Sequence, residues 1–241
     1  MKSPLGFILG SGWGEIISDV DHKKETSFEK IFNKRVTVPG HSGQIIEGKI
    51  AGLPVIFSSG RFHTYEGYST YEVTEIIRYL HSRGVKKIII TSAVGGLNEN
   101  YKVGDLVVLK DVISLFCPSP LTGPKFLDLS RPFSEDMVRK AQKIAKTQKI
   151  NYQNGTYVYV RGPHYETFSD KKALKLLGAD VVGMSTVPEI IMANYLKMEV
   201  LGLSLVTNLA FVKHDHREVI ANAKMQEVKL YKFFESFIKS I

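Results

Sequence analysis

Apolar residues recur along the chain in two rhythms. Short apolar runs that end on glycine or small polar residues read as buried strands: residues 6–10 (GFILG), 53–59, 85–91 (VKKIIIT) and 200–207. Residues 105–115 are rich in β-branched residues, 156–160 alternate, and 180–183 form a short run. Residues 35–38 and 44–50 read as two further short strands around a Pro39-Gly40 turn. Helical spacing governs other stretches. In 70–83, Val73, Ile76, Ile77 and Leu80 fall at i, i+3, i+4 and i+7 on one face. Ser134 is placed to cap a helix over 134–148, with Glu135 in its first turn. Gly178 is the natural stop of a helix over 169–177, Pro188 opens one over 187–197, and 217–241 reads as one long amphipathic helix.

Strands alternating with helices predict an α/β fold: a central mixed, mainly parallel twisted sheet flanked by helices. No Pro/Gly/Ser-rich linker divides the chain, so residues 1–241 read as a single domain, with 118–132 as its longest loop. In such folds ligands bind beyond the carboxyl ends of strands. Four polar, glycine-flanked clusters fall at those ends: 10–14, 60–65, 91–96 and 207–208.

Composition narrows the function classes. The chain is 44% hydrophobic and 23% charged, which is enough apolar material for one sizeable core. A single cysteine, Cys117, excludes an intrachain disulfide and a multi-cysteine zinc site, and reads as a buried thiol. The net charge is +8, but the basic residues are scattered. Arg139, Lys140, Lys143 and Lys146 sit at helical spacing and read as a solvated face, so nucleic acid is not the expected partner. No run of about 18 apolar residues predicts a membrane helix. The opening MKSPLGFILGSGWGE has too short an apolar run for a signal peptide, and a cytoplasmic location is expected.

Candidate chemistry sits in six clusters. ILGSGWGE spaces its glycines as G-x-G-x-G, not the G-x-G-x-x-G of dinucleotide sites; Ser11 and the amides suit an anion, or a plain tight turn. In GRFHTYEGY, Arg61, His63 and Tyr65 share a face on extended chain. Arg61 offers a planar fork for phosphate and His63 a further donor; the bland alternative is a surface strand with an Arg61–Glu66 pair. SAVGG, around Ala93, exposes amides after a buried strand, or makes a β-turn. Glu166, after Tyr165, suits a ring N–H or a helix first turn. Ser185, after the adaptable Met184, is an anion donor or a helix cap. Asn208 presents a donor and an acceptor, or a turn amide. His214-Asp215-His216 lacks a third ligand at metal spacing, so no metal is expected, and no G-x-S-x-G elbow is present.

Taken in order, LGSGWG, VPGHSG, GRFHTYEGY, AVGGLN, VGD, GTYV, GP-x-YET, LGAD-VGMSTVPE and TN resemble the trimeric, low-molecular-mass purine nucleoside phosphorylases over nearly the whole chain. The resemblance implies the nucleoside phosphorylase fold. It implies reversible phosphorolysis of purine (deoxy)ribonucleosides to free base and (deoxy)ribose 1-phosphate, by a homotrimer using inorganic phosphate and no metal or organic cofactor. Carried over by motif, Ser11, Arg61, His63, Ser185 and the Ala93 amide hold phosphate. Tyr165, Glu166 and Asn208 hold the purine, while Tyr65, Met184 and His216 meet the ribose. Phe126 matches a phenylalanine contributed by a neighbouring subunit. Asn208, Glu166 and His63 are the expected catalytic groups.

The implied roles also bear on base choice. Glu166 accepting from N1–H and Asn208 donating to N7 or O6 favour inosine and guanosine over adenosine, whose N1 is an acceptor. Methylthioadenosine phosphorylases carry aspartate where Asn208 stands. The segment after Asn208, LAFVKHDHREV, is shorter than the vertebrate loop. It leaves His214 and His216 as alternatives at the 5′ position, and 5′-methylthioinosine or 5′-methylthioadenosine as alternative substrates.

Overall fold

The computed structural model describes residues 2–38, 41–211 and 216–241, and only the backbone of 216–220. Among the described residues nine strands run in chain order: β1 (Leu5–Leu9), β2 (Asp21–Ser27), β3 (Gln44–Ile50), β4 (Leu53–Ser59), β5 (Lys87–Gly96), β6 (Leu106–Ile113), β7 (Tyr152–Tyr159), β8 (Val181–Gly183) and β9 (Glu199–Leu209). The helices are α1 (Phe28–Phe32), α2 (Thr70–Val73), α3 (Glu75–Ser82), α4 (Glu135–Thr147), α5 (Phe168–Leu176), α6 (Val187–Tyr195), α7 (His216–Met225) and α8 (Glu227–Lys239).

The sheet is mixed. β4, β1, β5 and β9 lie side by side and parallel, with Leu5 opposite both Val55 and Lys87. β2–β3–β4 extends one edge as an antiparallel meander. At the other end β5–β9–β6–β7–β8 returns to β5, so that half of the sheet closes into a ring. Ring closure leaves β5 and β9 buried on both faces, which is why both read as continuous apolar runs and not as alternating ones.

Helices cover both faces of the sheet. On one, Ile76, Ile77 and Leu80 of α3 and Val187 and Ile190 of α6 are buried against the strands. On the other, Phe7 stacks on Phe57 at 4.5 Å and meets the edge of Phe234 of α8 at 5.5 Å. The apolar face predicted for 70–83 is therefore the one packed inward.

Several predicted elements differ in detail. Residues 70–83 form two helices because the Thr74 hydroxyl donates to the Tyr71 carbonyl at 2.7 Å and caps the first turn. Residues 217–241 likewise break at Gln226. Residues 35–38 are not a strand, since Thr37 gives its amide N–H and hydroxyl to Glu66 Oε1 instead of a neighbouring strand (2.8 and 2.9 Å). β2 and α1 have no counterpart in the apolar pattern. β2 is a polar edge strand, DHKKETS, exposed along most of its length. Residues 118–132 are loop, as expected.

The basic face of α4 is solvated: Arg139 lies near Glu135 and Asp136, and Lys140 pairs with Asp136 at 2.9 Å. No helix among the described residues is long and apolar enough to cross a membrane.

Candidate active site

At the carboxyl ends of β1, β4, β5 and β9 a cleft opens. Ser11, Arg61, His63, Tyr65, Ala93, Tyr165, Glu166, Met184, Ser185 and Asn208 all line it. These residues span nearly two hundred positions of sequence and come from every cluster singled out above.

The oxyanion-suited end is fixed before any ligand arrives. The Gly10 amide donates to Thr91 Oγ1 at 2.9 Å, and that hydroxyl donates to the Ile8 carbonyl at 3.0 Å, tying the end of β1 to β5. A Cβ on Gly10 would sit 2.9 Å from the Thr91 carbonyl oxygen, so only glycine lets Ser11 approach β5 this closely. Gly60, at φ +108°, turns the chain out of β4 into Arg61.

Arg61 is buried, at 1% exposure. Its Nε donates to Glu189 Oε1 at 3.0 Å and its Nη1 to Ser185 Oγ at 3.1 Å. The pairing with Glu189 of α6 corrects the alternative of an Arg61–Glu66 pair: Glu66 instead accepts from Thr37 and His63. Ser185 is held by Tyr157, whose hydroxyl accepts from the Ser185 amide and donates to the Ser185 carbonyl (3.2 and 3.1 Å). Next to it Thr186, a β-branched residue, sits at φ 72°, ψ −52°, and the Val187 amide donates across it to the Ser185 carbonyl at 2.7 Å. Such a turn is strained by about 1–3 kcal/mol and persists because its surroundings hold it.

His63 caps the short helical turn 64–66. Its amide and Nδ1 both meet Glu66 Oε2 (2.9 and 3.1 Å). Burial pushes the Glu66 carboxyl up, but hydrogen bonds from His63 and Thr37 outweigh it and hold the group down at about 2. Glu66 is thus an acceptor, and the proton of the neutral His63 ring belongs on Nδ1. Burial holds His63 below the usual histidine range. Its Nε2 therefore accepts when the ring is neutral and donates only when the ring is protonated. His63 stacks between Tyr65 (centroids 4.6 Å apart) and His41 (5.5 Å).

The far end is looser. Tyr165 is 37% exposed, and Glu166 is half-buried, its carboxyl pushed up by burial. Asn208 is buried on β9, where Thr207 Oγ1 lies 3.2 Å from its Oδ1 and serves as donor. That contact leaves the Nδ2 edge of the amide as the donor. Gly95 stands beside it, since a Cβ there would reach Asn208 Nδ2 at 3.2 Å.

One predicted position is not in the cleft. Phe126 is 95% exposed on the 118–132 loop. His214 and the side chain of His216 lie outside the described residues. Cys117 is only partly buried, but burial still pushes its thiol up to about 12, consistent with an inert group. Among the described residues no group of three or more His, Cys, Asp or Glu is placed to hold a metal ion.

Sequence reasoning missed His41, Glu189, Tyr157 and Thr186. His41 lines the cleft inside the VPGHSG motif, with burial pressing its pKa down to about 3. Glu189 looked like an ordinary first-turn acid of a helix, and nothing in its spacing pairs it with Arg61, 128 residues away.

One cleft thus joins an end lined by Ser11, Arg61, His63 and Ser185 to an end lined by Tyr165, Glu166 and Asn208. Residues 4–239 match the phosphorylase superfamily. Purine nucleoside phosphorylase 1 of Bacillus subtilis is 40% identical over 96% of this chain and 91% of its own. The purine nucleoside phosphorylase of Mus musculus is 37% identical over 100% and 90%. A solved Schistosoma mansoni purine nucleoside phosphorylase in complex with inosine superposes with a TM-score of 0.92 at 34% identity, over 99% of this chain and 90% of that one. The chain belongs to the phosphorylase superfamily and, within it, to the purine nucleoside phosphorylases.

Proposed function

We propose that this chain is a pentosyltransferase that carries out reversible phosphorolysis of 6-oxopurine (deoxy)ribonucleosides, inosine and guanosine, to free base and (deoxy)ribose 1-phosphate. The observation that carries the reading is the union, in one cleft, of Arg61 and Ser185 at one end with Glu166 and Asn208 at the other. Phosphate is the co-substrate, no metal or organic cofactor takes part, and the working form is a cytoplasmic homotrimer in which Phe126 reaches a neighbouring subunit's cleft.

The residues suit the chemistry. Breaking the glycosidic bond builds positive charge on the sugar and negative charge on the leaving purine. Phosphate held by Ser11, Arg61, His63, Ser185 and the Ala93 amide stands beside C1′, where it stabilises the developing cation and then attacks it. Tyr65 and Met184 flank the ribose, with His216 or His214 at its 5′ end, and Tyr165 lies against the base. The Nδ2 edge of Asn208 donates to N7 or O6 as charge accumulates there. Glu166 accepts from N1–H.

The test is base release from inosine, guanosine, adenosine, 5′-methylthioinosine and 5′-methylthioadenosine, each with and without phosphate. Phosphate-dependent release from inosine and guanosine, with adenosine poor, is expected. Faster 5′-methylthioinosine cleavage moves the physiological substrate to methylthio nucleosides; no release from any substrate overturns the reading. Asn208→Asp is expected to shift the inosine-to-adenosine ratio of kcat/KM toward adenosine by about tenfold or more, the worth of one mispaired buried group.

A further inference from the structure

The phosphate reading leaves the Arg61–Glu189 pair unexplained. A bare arginine would attract an anion more strongly, yet this one shares its charge with a carboxylate that is 2% exposed. The pairing is also incomplete. Glu189 Oε2 and Arg61 Nη2 are both buried without a hydrogen-bond partner among the described residues. A fold that needed only a rigid guanidinium could place a neutral acceptor on Nε and avoid burying a second charge.

The charge balance of the anion end turns on this pair. Of the described basic residues lining the cleft, His41 and His63 are both pressed toward the neutral form by burial, so Arg61 is the standing cation among them. With Glu189 ionised the pair is net neutral, although burial pushes the Glu189 carboxyl up against the pull of Arg61. Geometrically, Glu189 takes the Nε–H and Ser185 one Nη1–H, which leaves the second Nη1–H and both Nη2–H unclaimed among the described residues. Glu189 thus does two opposed things: its reach aims the fork, and its charge weakens the fork's hold on an incoming anion.

We propose that Glu189 is a positioning residue that sets phosphate affinity through Arg61, aiming the guanidinium while moderating its charge so that phosphate and ribose 1-phosphate bind reversibly. This inference rests on the phosphorolysis reading above.

Two variants separate aim from charge. Glu189→Gln keeps an acceptor at the same reach and removes the charge; Glu189→Asp keeps the charge and draws the acceptor back by one methylene. Phosphate binding is read by calorimetry on the full-length protein, together with KM for phosphate, KM for inosine and the thermal midpoint. Glu189→Gln is expected to bind phosphate about tenfold more tightly, and Glu189→Asp about tenfold more weakly, with KM for inosine within about twofold in both. A purely structural ion pair moves both substrates and both variants in the same direction, and that result overturns the proposal. If Glu189→Gln does not fold, Glu189→Asp carries the test: equal weakening for phosphate and inosine overturns the proposal, and a phosphate-selective loss supports it. Wild-type protein that binds no phosphate overturns the phosphorolysis reading and this inference with it, whereas normal wild-type binding with parallel variants overturns the inference alone.

Discussion

The two ends of the cleft are built on different plans. At the end proposed to hold phosphate the side chains are pinned by neighbours: Arg61 by Glu189 and Ser185, His63 by Glu66, and Ser185 by Tyr157. At the base end Tyr165 is over one-third exposed, Glu166 is half-buried, and Asn208 leans on a single hydroxyl. The contrast has a physical reason. Phosphate is small and offers only oxygens, so rigid preorganised donors lower the cost of gathering around it. A purine is larger, gains mostly by burial and stacking, and is told from its relatives by two or three polar atoms. A looser end tolerates change in base preference while the phosphate chemistry stays fixed.

The largest effect expected is at the pinned end. Arg61→Ala removes the standing cation and strands Glu189 as a buried carboxylate. Catalysis should fall by about 10³-fold in kcat/KM for phosphate, and stability by about 3–5 kcal/mol, read by denaturant unfolding. A variant that stays stable breaks the idea that this end is held together by its buried charges. Next comes Asn208→Ala, where the loss should be about 10²–10³ in kcat, matched in kcat/KM, with little change in stability. A pure KM effect would place Asn208 in ground-state binding instead.

Acid should weaken the pinned end through Glu66. The Glu66 carboxyl sits at about 2 in the fold against an ordinary 4.5, a lowered value. Its contribution is present above about 4.5 and is lost as pH falls toward 2. Thermal midpoints measured across that window should fall less steeply for Glu66→Gln than for wild type; identical slopes would remove Glu66 from the anchoring network. The smallest effect belongs to the surface. Arg139→Ala on α4 removes only solvent-exposed ion pairs and should change stability by under about 0.5 kcal/mol, with kcat unchanged.

How much of this was legible beforehand follows from what each feature depends on. β4 over Leu53–Ser59 matches the run read from the sequence residue for residue, because its apolar centre, Val55, Ile56 and Phe57, is buried on both faces of the strand. α4 begins where Ser134 announces it, its hydroxyl accepting from the Met137 amide. β2 gave no signal, since an exposed edge strand carries no burial pattern and forms only because β3 offers it a partner. The break at Thr74 was equally silent, because a threonine hydroxyl competing for a carbonyl leaves the apolar rhythm intact.

The site divides along the same line. Residue types alone left Ser11, Arg61, His63, Glu166, Ser185 and Asn208 each with a bland alternative; their order along the chain, through the family resemblance, singled them out as a set. The sequence by itself determined that order, together with the α/β alternation that places clusters at strand ends. The pairing of Arg61 with Glu189, the bracket of Tyr157 around Ser185, the strained turn at Thr186 and the closing of β5–β9–β6–β7–β8 into a ring were decided only in three dimensions. Each depends on groups far apart in the chain meeting where water is excluded. Burial, which makes those meetings strong, is a property of the folded molecule and of no local stretch of sequence.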